Sequence, residues 1–359
     1  MADRSSKSSP LRSSESPETL GDGVWRPIDP ELDPPLEIVE PHGPPCAIVV
    51  SSPHSGNIYP ACFLAASRLS PLALRRSEDA HVDELFAGAA QIGAPMLRAL
   101  FPRAYLDVNR EPYELDPRMF DGRLPSFVNS RSIRVAGGLG TIARVVGEAQ
   151  EIYAARIPVE EALRRIEGLY RPYHRALHEL VDRARRAHGA AVLVDCHSMP
   201  STASGDPSRP DPERRPDVIL GDRYGTSCDS RLVSLVESTL RRLGYRVERN
   251  KPYAGGYITE YFGSLSRQCD ALQIEVNRAL YMDERTLERT SGFDQLAADM
   301  THLLAEIEAF VAADLAARPR RAAAESAQKT PITLSQFGSV PSNPLKKKGG
   351  RLRSKRPQV

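Results

Sequence analysis

The sequence predicts an α/β fold: one three-layer domain built on a mostly parallel sheet with helices on both faces. Two observations carry that prediction. Short runs rich in valine, isoleucine and leucine alternate along the chain with stretches of helical periodicity, the order that produces parallel strands joined by helical crossovers. Three of these apolar runs also stop abruptly in polar residues, at Ala47-Ile-Val-Val-Ser-Ser-Pro-His54, Val192-Leu-Val-Asp-Cys-His197 and Leu272-Gln-Ile-Glu275. Ligands of open α/β sheets bind beyond the carboxyl ends of the strands, so the stretches that predict the fold also predict the site.

The totals agree with a soluble enzyme-sized chain. The 359 residues are 41% hydrophobic and 26% charged, enough to bury a sizeable core. No run approaches the ~18 apolar residues of a membrane span, and the N-terminus lacks the apolar core of a secretory signal; a cytoplasmic location is expected. The five cysteines, Cys46, Cys62, Cys196, Cys228 and Cys269, are odd in number and form no CxxC pair, which argues against a disulfide framework or a cysteine-based zinc site. The net charge of +2 hides an asymmetry: from Ala317 onward 11 basic residues face one acid, a local balance of +10 against −8 for residues 1–316.

Taken in order, residues 1–45 are rich in Ser, Pro and charge and read as a disordered or extended lead-in. A first strand is expected over Cys46–Ser52. Val82, Leu85, Phe86, Ala89 and Ala90 recur at helical spacing, predicting a helix over Asp79–Ile92 closed by Gly93. Pro95–Asn109 reads as extended chain, and the Pro, Asp, Arg and Asn mixture of Glu111–Arg134 as a loop forming a lid or wall. A long helical region follows over Tyr153–His188 with a break near Pro172. After the His197 strand come an aperiodic loop (Ser201–Pro216), a short strand at Val218–Leu220, an amphipathic helix at Ser230–Leu243 and a strand at Tyr245–Glu248. A glycine-rich loop over Gly255–Thr259, a core strand over Asp270–Val276 and a final helix over Gly292–Leu315 complete the domain, 46–316, and a disordered basic tail is expected over 317–359.

His54 and His197 stand at matching positions after apolar strands, which makes them candidate metal ligands, although a lone histidine is more often structural. Asp195 lies two residues before His197 and shares its strand face; it can hydrogen-bond a ligand imidazole from behind or cap a neighbouring loop. Cys196 faces the other way and reads as packing. A third ligand is sought at Glu78-Asp79, where acids are also favoured simply by a helix start. Asp83 would follow Asp79 by one turn on the same helical face. Glu275 stands alone among apolar neighbours, costly unless it is used or paired; it is a candidate general base, or a partner for Arg278. Arg110 and Arg278 after strand ends, and Arg144 after Gly137-Gly-Leu-Gly140, are candidate anion-binding groups. That glycine run matches no phosphate-binding pattern, and Ser55 and Ser198 sit in no GxSxG elbow.

Several of these segments together resemble the N-formylglutamate amidohydrolase family: Pro53-His54-Ser-Gly56, Ser77-Glu-Asp79-Ala-His-Val-Asp83-Glu-Leu, Asp107-Val-Asn-Arg110-Glu-Pro, Asp195-Cys-His197-Ser-Met-Pro, Gly255-Gly-Tyr-Ile-Thr259 and Ile274-Glu-Val-Asn-Arg278. The resemblance runs in the right order from about Ile48 to Phe310. It implies a mixed α/β sheet similar to zinc carboxypeptidases and aspartoacylase, and a zinc-dependent hydrolase that splits N-formyl-L-glutamate into formate and glutamate during histidine breakdown. Carried over by motif, His54 and His197 look like zinc ligands, an acid of the Glu78-Asp79 pair the third, and Glu275 the base; Arg110, Arg278 and Arg144 would hold substrate carboxylates. The sequence departs from the carboxypeptidase HxxE pattern, because Asn57 stands three after His54. Asp79 is preferred to Glu78 because Asp79 and Asp83 would share one helical face. The expected partner is a small anionic N-acyl amino acid. The alternatives are a hydrolase of another N-acyl amino acid or small peptide amide, and a non-catalytic module whose basic tail contacts nucleic acid, a partner not otherwise expected.

Overall fold

The computed structural model describes residues 29–201, 216–263 and 268–328. Seven strands form one sheet: β1 (Leu36–Val39), β2 (Ile48–Ser52), β3 (Met96–Ala99), β4 (Ala191–Met199), β5 (Val218–Gly221), β6 (Val247–Arg249) and β7 (Cys269–Asn277), in the order β1-β3-β2-β4-β7-β5-β6. The central four, β3-β2-β4-β7, are parallel. β1 runs antiparallel along one edge, and beyond β7 lie β5 and β6, parallel to each other and antiparallel to β7. The sheet is thus mixed and mostly parallel. Chain order reverses between β2 and β4, since β3 lies on one side of β2 and β4 on the other. That reversal opens a crevice at the carboxyl edge.

Two apolar layers sandwich the sheet. One face carries Val49, Leu193 and Ala271 and packs on the run of helix that includes Ala162, Ile166, Leu169, Tyr173, Leu177 and Leu180. The other carries Ile48, Val50, Val192, Val194, Cys196, Leu272, Ile274 and Val276 and packs on Leu232, Val236, Leu296, Met300 and Leu303. Burial of side chains on both faces is what lets β2, β4 and β7 read as near-continuous apolar runs.

The elements differ from the sequence reading in a few places. Leu36–Val39, part of the expected lead-in, is bonded into the sheet as an edge strand. The helix expected over Asp79–Ile92 is reduced to a single turn, Val82–Leu85, followed by the 3-10 segment Ala87–Ile92. His81, at φ 64, cannot belong to a right-handed helix. Its periodic apolar residues reach the core through two short turns. The break expected near Pro172 is absent: α1 (Val159–Arg165), the π-helical stretch Ile166–Tyr170 and α2 (Arg171–His188) follow without interruption. Pro172 lies inside this run, directly after the π-helical stretch, where the chain already departs from i→i−4 pairing and a residue without an N–H is tolerated. Pro158 at the N-cap of α1 marks the true start, later than Tyr153. Further helices are α3 (Ser230–Arg242), α4 (Tyr257–Phe262) and α5 (Phe293–Gln328), besides short ones at Ala61–Ala66, Pro71–Arg75 and Ile133–Ala136, and α4 occupies part of what the sequence reads as a glycine-rich loop.

The chain divides into two units, Met1–Ala316 and Ala317–Val359. The first holds the sheet and everything below. In the second, residues 317–328 are helical; the basic tail beyond them lies outside the described residues, as do residues 1–28 of the lead-in and most of the expected loop over Ser201–Pro216. Among the described residues no helix is long and apolar enough to cross a membrane.

Candidate active site

Side chains alternate between faces along a strand, and on one face of the sheet the alternation changes character toward the carboxyl edge. Leu193 is followed by Asp195 and His197, Ala271 by Gln273 and Glu275, Val49 by Ser51. Parallel register sets Glu275 beside His197 and Gln273 beside Asp195, and Ser51 beside Asp195. His54 arrives from the turn just past β2. That turn lies against the backbone of the next segment: a Cβ on Gly56 would come within 2.3 Å of the Phe101 carbonyl oxygen, so only glycine fits. The Asp79 N–H donates to the His54 carbonyl at 3.0 Å, which brings the acid to the imidazole.

The result is a buried cluster. His197 Nδ1 lies 3.0 Å from Asp79 Oδ2, and His54 Nδ1 lies 3.4 Å from the same oxygen. On their far sides His54 Nε2 meets Asp107 Oδ1 at 2.7 Å and His197 Nε2 meets Asp195 Oδ2 at 3.0 Å. Each imidazole therefore has a carboxylate behind it that favours the Nε2–H tautomer and turns the Nδ1 lone pair toward Asp79. Asp195 in turn accepts from the Ser51 hydroxyl at 3.0 Å.

This arrangement fits a metal ion. His54 Nδ1 is buried and has no hydrogen-bond partner, a cost that a cation would remove. Ligand atoms of His54, Asp79 and His197 all lie within 4.8 Å of one another, and two nitrogens with one carboxylate is a hydrolytic-zinc type of donor set. The electrostatics point the same way. Burial alone would raise the Asp79 and Asp107 carboxyls, but the imidazoles and the arginines beside them hold both well below the usual carboxylate range. Burial pulls the His197 imidazole down, yet Asp195 and Asp79 outweigh it and hold it well above its ordinary value. Three carboxylates, Asp79, Asp107 and Asp195, thus surround the two imidazoles, an arrangement that suits a positive charge at its centre.

Glu275 behaves differently. Burial pushes its carboxyl up to about 7, with His197 pulling down, Asp79 pushing up and Arg103 and Arg278 pulling down. It lines a cavity of about 690 Å³ together with His54, His197, Asp107, Asn109 and the arginines Arg76, Arg103, Arg110, Arg134 and Arg278. A carboxyl of this kind exchanges a proton near neutrality, in a chamber whose wall is rich in guanidinium groups.

A family model for N-formylglutamate amidohydrolase matches residues 46–282. The chain belongs to that family. A curated N-formylglutamate deformylase from Pseudomonas aeruginosa is 28% identical over 246 residues, which is 66% of this chain and 83% of the relative. A solved N-formylglutamate amidohydrolase from Ralstonia eutropha JMP134 superposes with a TM-score of 0.73 at 39% identity, over 78% of this chain and 99% of that one. A gene product from Agrobacterium tumefaciens, 17% identical with a TM-score of 0.57 over 77% and 95% of the two chains, shares the fold.

Within this chain the residues read from sequence are brought together unevenly. His54, His197, Asp79, Asp195 and Glu275 converge. Glu78 turns away, accepting from Arg75 Nε at 3.0 and 3.1 Å. The reason given for preferring Asp79 does not hold, because Asp79 precedes the helical turn and Asp83 pairs with Arg98 at 2.6 Å instead. Arg278 reaches the cluster from behind, donating to Asp79 Oδ1 and Ser198 Oγ at 3.0 and 3.1 Å. Arg110 lines the cavity while its Nε and Nη1 donate to the Leu139 and Asn109 carbonyls. Arg144 does not line the cavity: Asp116 and Glu151 take its guanidinium at 2.9 and 3.2 Å. Arg103, Asp107, Asn109 and Gln273 received no role from sequence. Asp107 and Asn109 lie in a segment without strand structure, where no alternation marks them, whereas Gln273 carries the same same-face signal as Asp195 and could have been found by it.

Proposed function

We propose that this protein is a zinc-dependent amidohydrolase that cleaves N-formyl-L-glutamate to formate and L-glutamate. The observation that carries the reading is the pair of imidazoles, each backed by a carboxylate at Nε2 and directing Nδ1 at Asp79, with Glu275 on the adjacent strand. His54, Asp79 and His197 would hold the ion. When bound, it supplies the Lewis acidity that polarises an amide carbonyl and acidifies an attacking water. Glu275 takes the water's proton on its carboxylate and returns it to the departing nitrogen, a task suited to a group that titrates near 7. Arg103, Arg110 and Arg134 face the substrate's carboxylates, where planar guanidinium groups give bidentate pairing. Arg278 holds Asp79 in place. A zinc-carboxypeptidase-like fold, a cytoplasmic location and a place in histidine breakdown belong to the same proposal. So does the division into a lead-in over 1–45, a hydrolase domain over 46–316 and a basic tail over 317–359.

A second reading rests on cavity size. About 690 Å³ lies in the range of pockets that take ligands much larger than formylglutamate, which favours hydrolysis of longer acidic N-acyl amino acids. One experiment separates the two: incubate metal-loaded protein with N-formyl, N-acetyl and longer N-acyl derivatives of glutamate and aspartate, and measure release of the acid. Fastest turnover of N-formyl-L-glutamate supports the first reading. Preference for longer acyl groups supports the second, and no turnover of any acidic substrate overturns both.

A further inference from the structure

Register places Glu275 beside His197, but register fixes backbone, and a glutamate side chain keeps three torsions free unless something holds it. Gln273 supplies that hold. It is 4% exposed and shares the strand face of Glu275, two residues away. Its amide oxygen accepts from the Gly256 N–H at 2.8 Å, with the Thr259 hydroxyl 3.5 Å away. With the oxygen committed to donors, the amide nitrogen must face the other direction, and there it donates to Glu275 Oε1 at 2.8 Å. We infer that Gln273 is a positioning residue: it anchors one oxygen of the Glu275 carboxylate to the Gly256–Thr259 segment and leaves the other for proton transfer. The inference rests on Glu275 being the base.

The same segment reaches the imidazole side. Asn109 Oδ1 accepts from the Ile258 N–H at 2.8 Å, and Asn109 Nδ2 donates at 3.5 Å to Asp195 Oδ2, the carboxylate behind His197. A Cβ on Gly256 would lie 2.3 Å from Asn109 Nδ2, so glycine is needed for the segment to touch Gln273 and Asn109 at once. One turn of backbone at the start of α4 therefore references the base and the histidine to each other. An amide suits the Gln273 position and a carboxylate does not, since the group must accept on one side and donate on the other.

Gln273→Met keeps the length and removes both hydrogen bonds; Gln273→Glu keeps the shape and replaces the donor with an acceptor. In the full-length, metal-loaded chain, acting on whichever acidic N-formyl or N-acyl amino acid the unaltered protein cleaves fastest, both should lower kcat on the order of 10²-fold. KM, bound metal per chain and the thermal midpoint should stay near those of the unaltered protein. An unchanged kcat overturns the inference. So does a loss that tracks falling metal content or midpoint, since that marks a merely structural residue. If neither variant folds, Thr259→Val, which removes only the weaker donor to Gln273, should lower kcat without moving KM, and no effect counts against the role. Glu275→Gln separates the layers of the argument: if it retains turnover, the base assignment itself fails, whereas loss of turnover there beside normal kcat in Gln273→Met removes only the positioning role.

Discussion

The two faces of β4 and β7 share every backbone atom and differ in almost everything else. On one face Val192, Val194 and Cys196, with Leu272, Ile274 and Val276, stay apolar to the carboxyl edge and belong to one continuous core. On the other, Leu193 and Ala271 give way to Asp195, His197, Gln273 and Glu275, all buried. Burying charge is tolerated there because each group has a complement: imidazole against carboxylate, carboxylate against guanidinium or hydroxyl, amide against carboxylate. The apolar face is core and the polar face holds the groups proposed to carry the chemistry, and Cys196 shows how sharp the division is. It stands between Asp195 and His197 in sequence, yet its thiol lies in the apolar layer, raised well above its ordinary pKa by burial and then by the Asp195 charge.

That division can be broken from either side. The largest effect expected is on the polar face: Glu275→Gln should lower kcat by roughly 10²–10⁴-fold while bound metal, measured by elemental analysis, and thermal midpoint hold steady. A Glu275→Gln protein that loses stability instead would blur the two faces. On the apolar face, Ile274→Ala, one residue away, should cost about 2–5 kcal/mol of unfolding free energy in a denaturant titration, with kcat of the folded fraction nearly intact.

The helical layer behind the polar face offers a pH test. His174 on α2 donates to the Val108 carbonyl at 2.8 Å, supporting the segment that carries Asp107 and Asn109. Burial pulls its pKa down from 6.5 to about 4, with that hydrogen bond acting the other way. The folded value lies below the unfolded one, so the unfolded chain binds the extra proton first. Stability is retained above pH 6.5 and lost progressively as pH falls toward about 4, by roughly 3 kcal/mol at 1.36 kcal/mol per unit. His174→Gln should flatten that part of the stability profile, and an unaltered profile would remove His174 as its source. The smallest effect expected is at the support behind the ligand: Asp195→Asn should weaken metal affinity ~10–100-fold in a chelator competition, and undiminished affinity would show that the Nε2 carboxylate does not tune His197.

Much of this was legible in the chain itself. Apolar runs ending in Asp-Cys-His197, in His54 and in Glu275 announced both the parallel sheet and its functional edge, because strand alternation is local and a lone acid in an apolar run is costly. The segment around Glu78 and Asp79 was less legible. Apolar periodicity there overstated a helix, since residues can face a core at helical spacing while the backbone, with His81 at φ 64, follows short turns. Arg144 looked like an anion-binding group from its place after a glycine run, but long arginines take the nearest buried acid, here Asp116.

The sequence by itself determined which residue types stand at the carboxyl edge and which face of each strand they share, for these follow from short-range geometry. Only the tertiary structure decided which acid joined the imidazoles, that Asp107 stood behind His54, and that Gln273 and Asn109 meet across Gly256. Those are contacts between segments as far as 149 residues apart, as for Asn109 and Ile258, and no local pattern encodes a distance set by how the whole sheet and its loops close together.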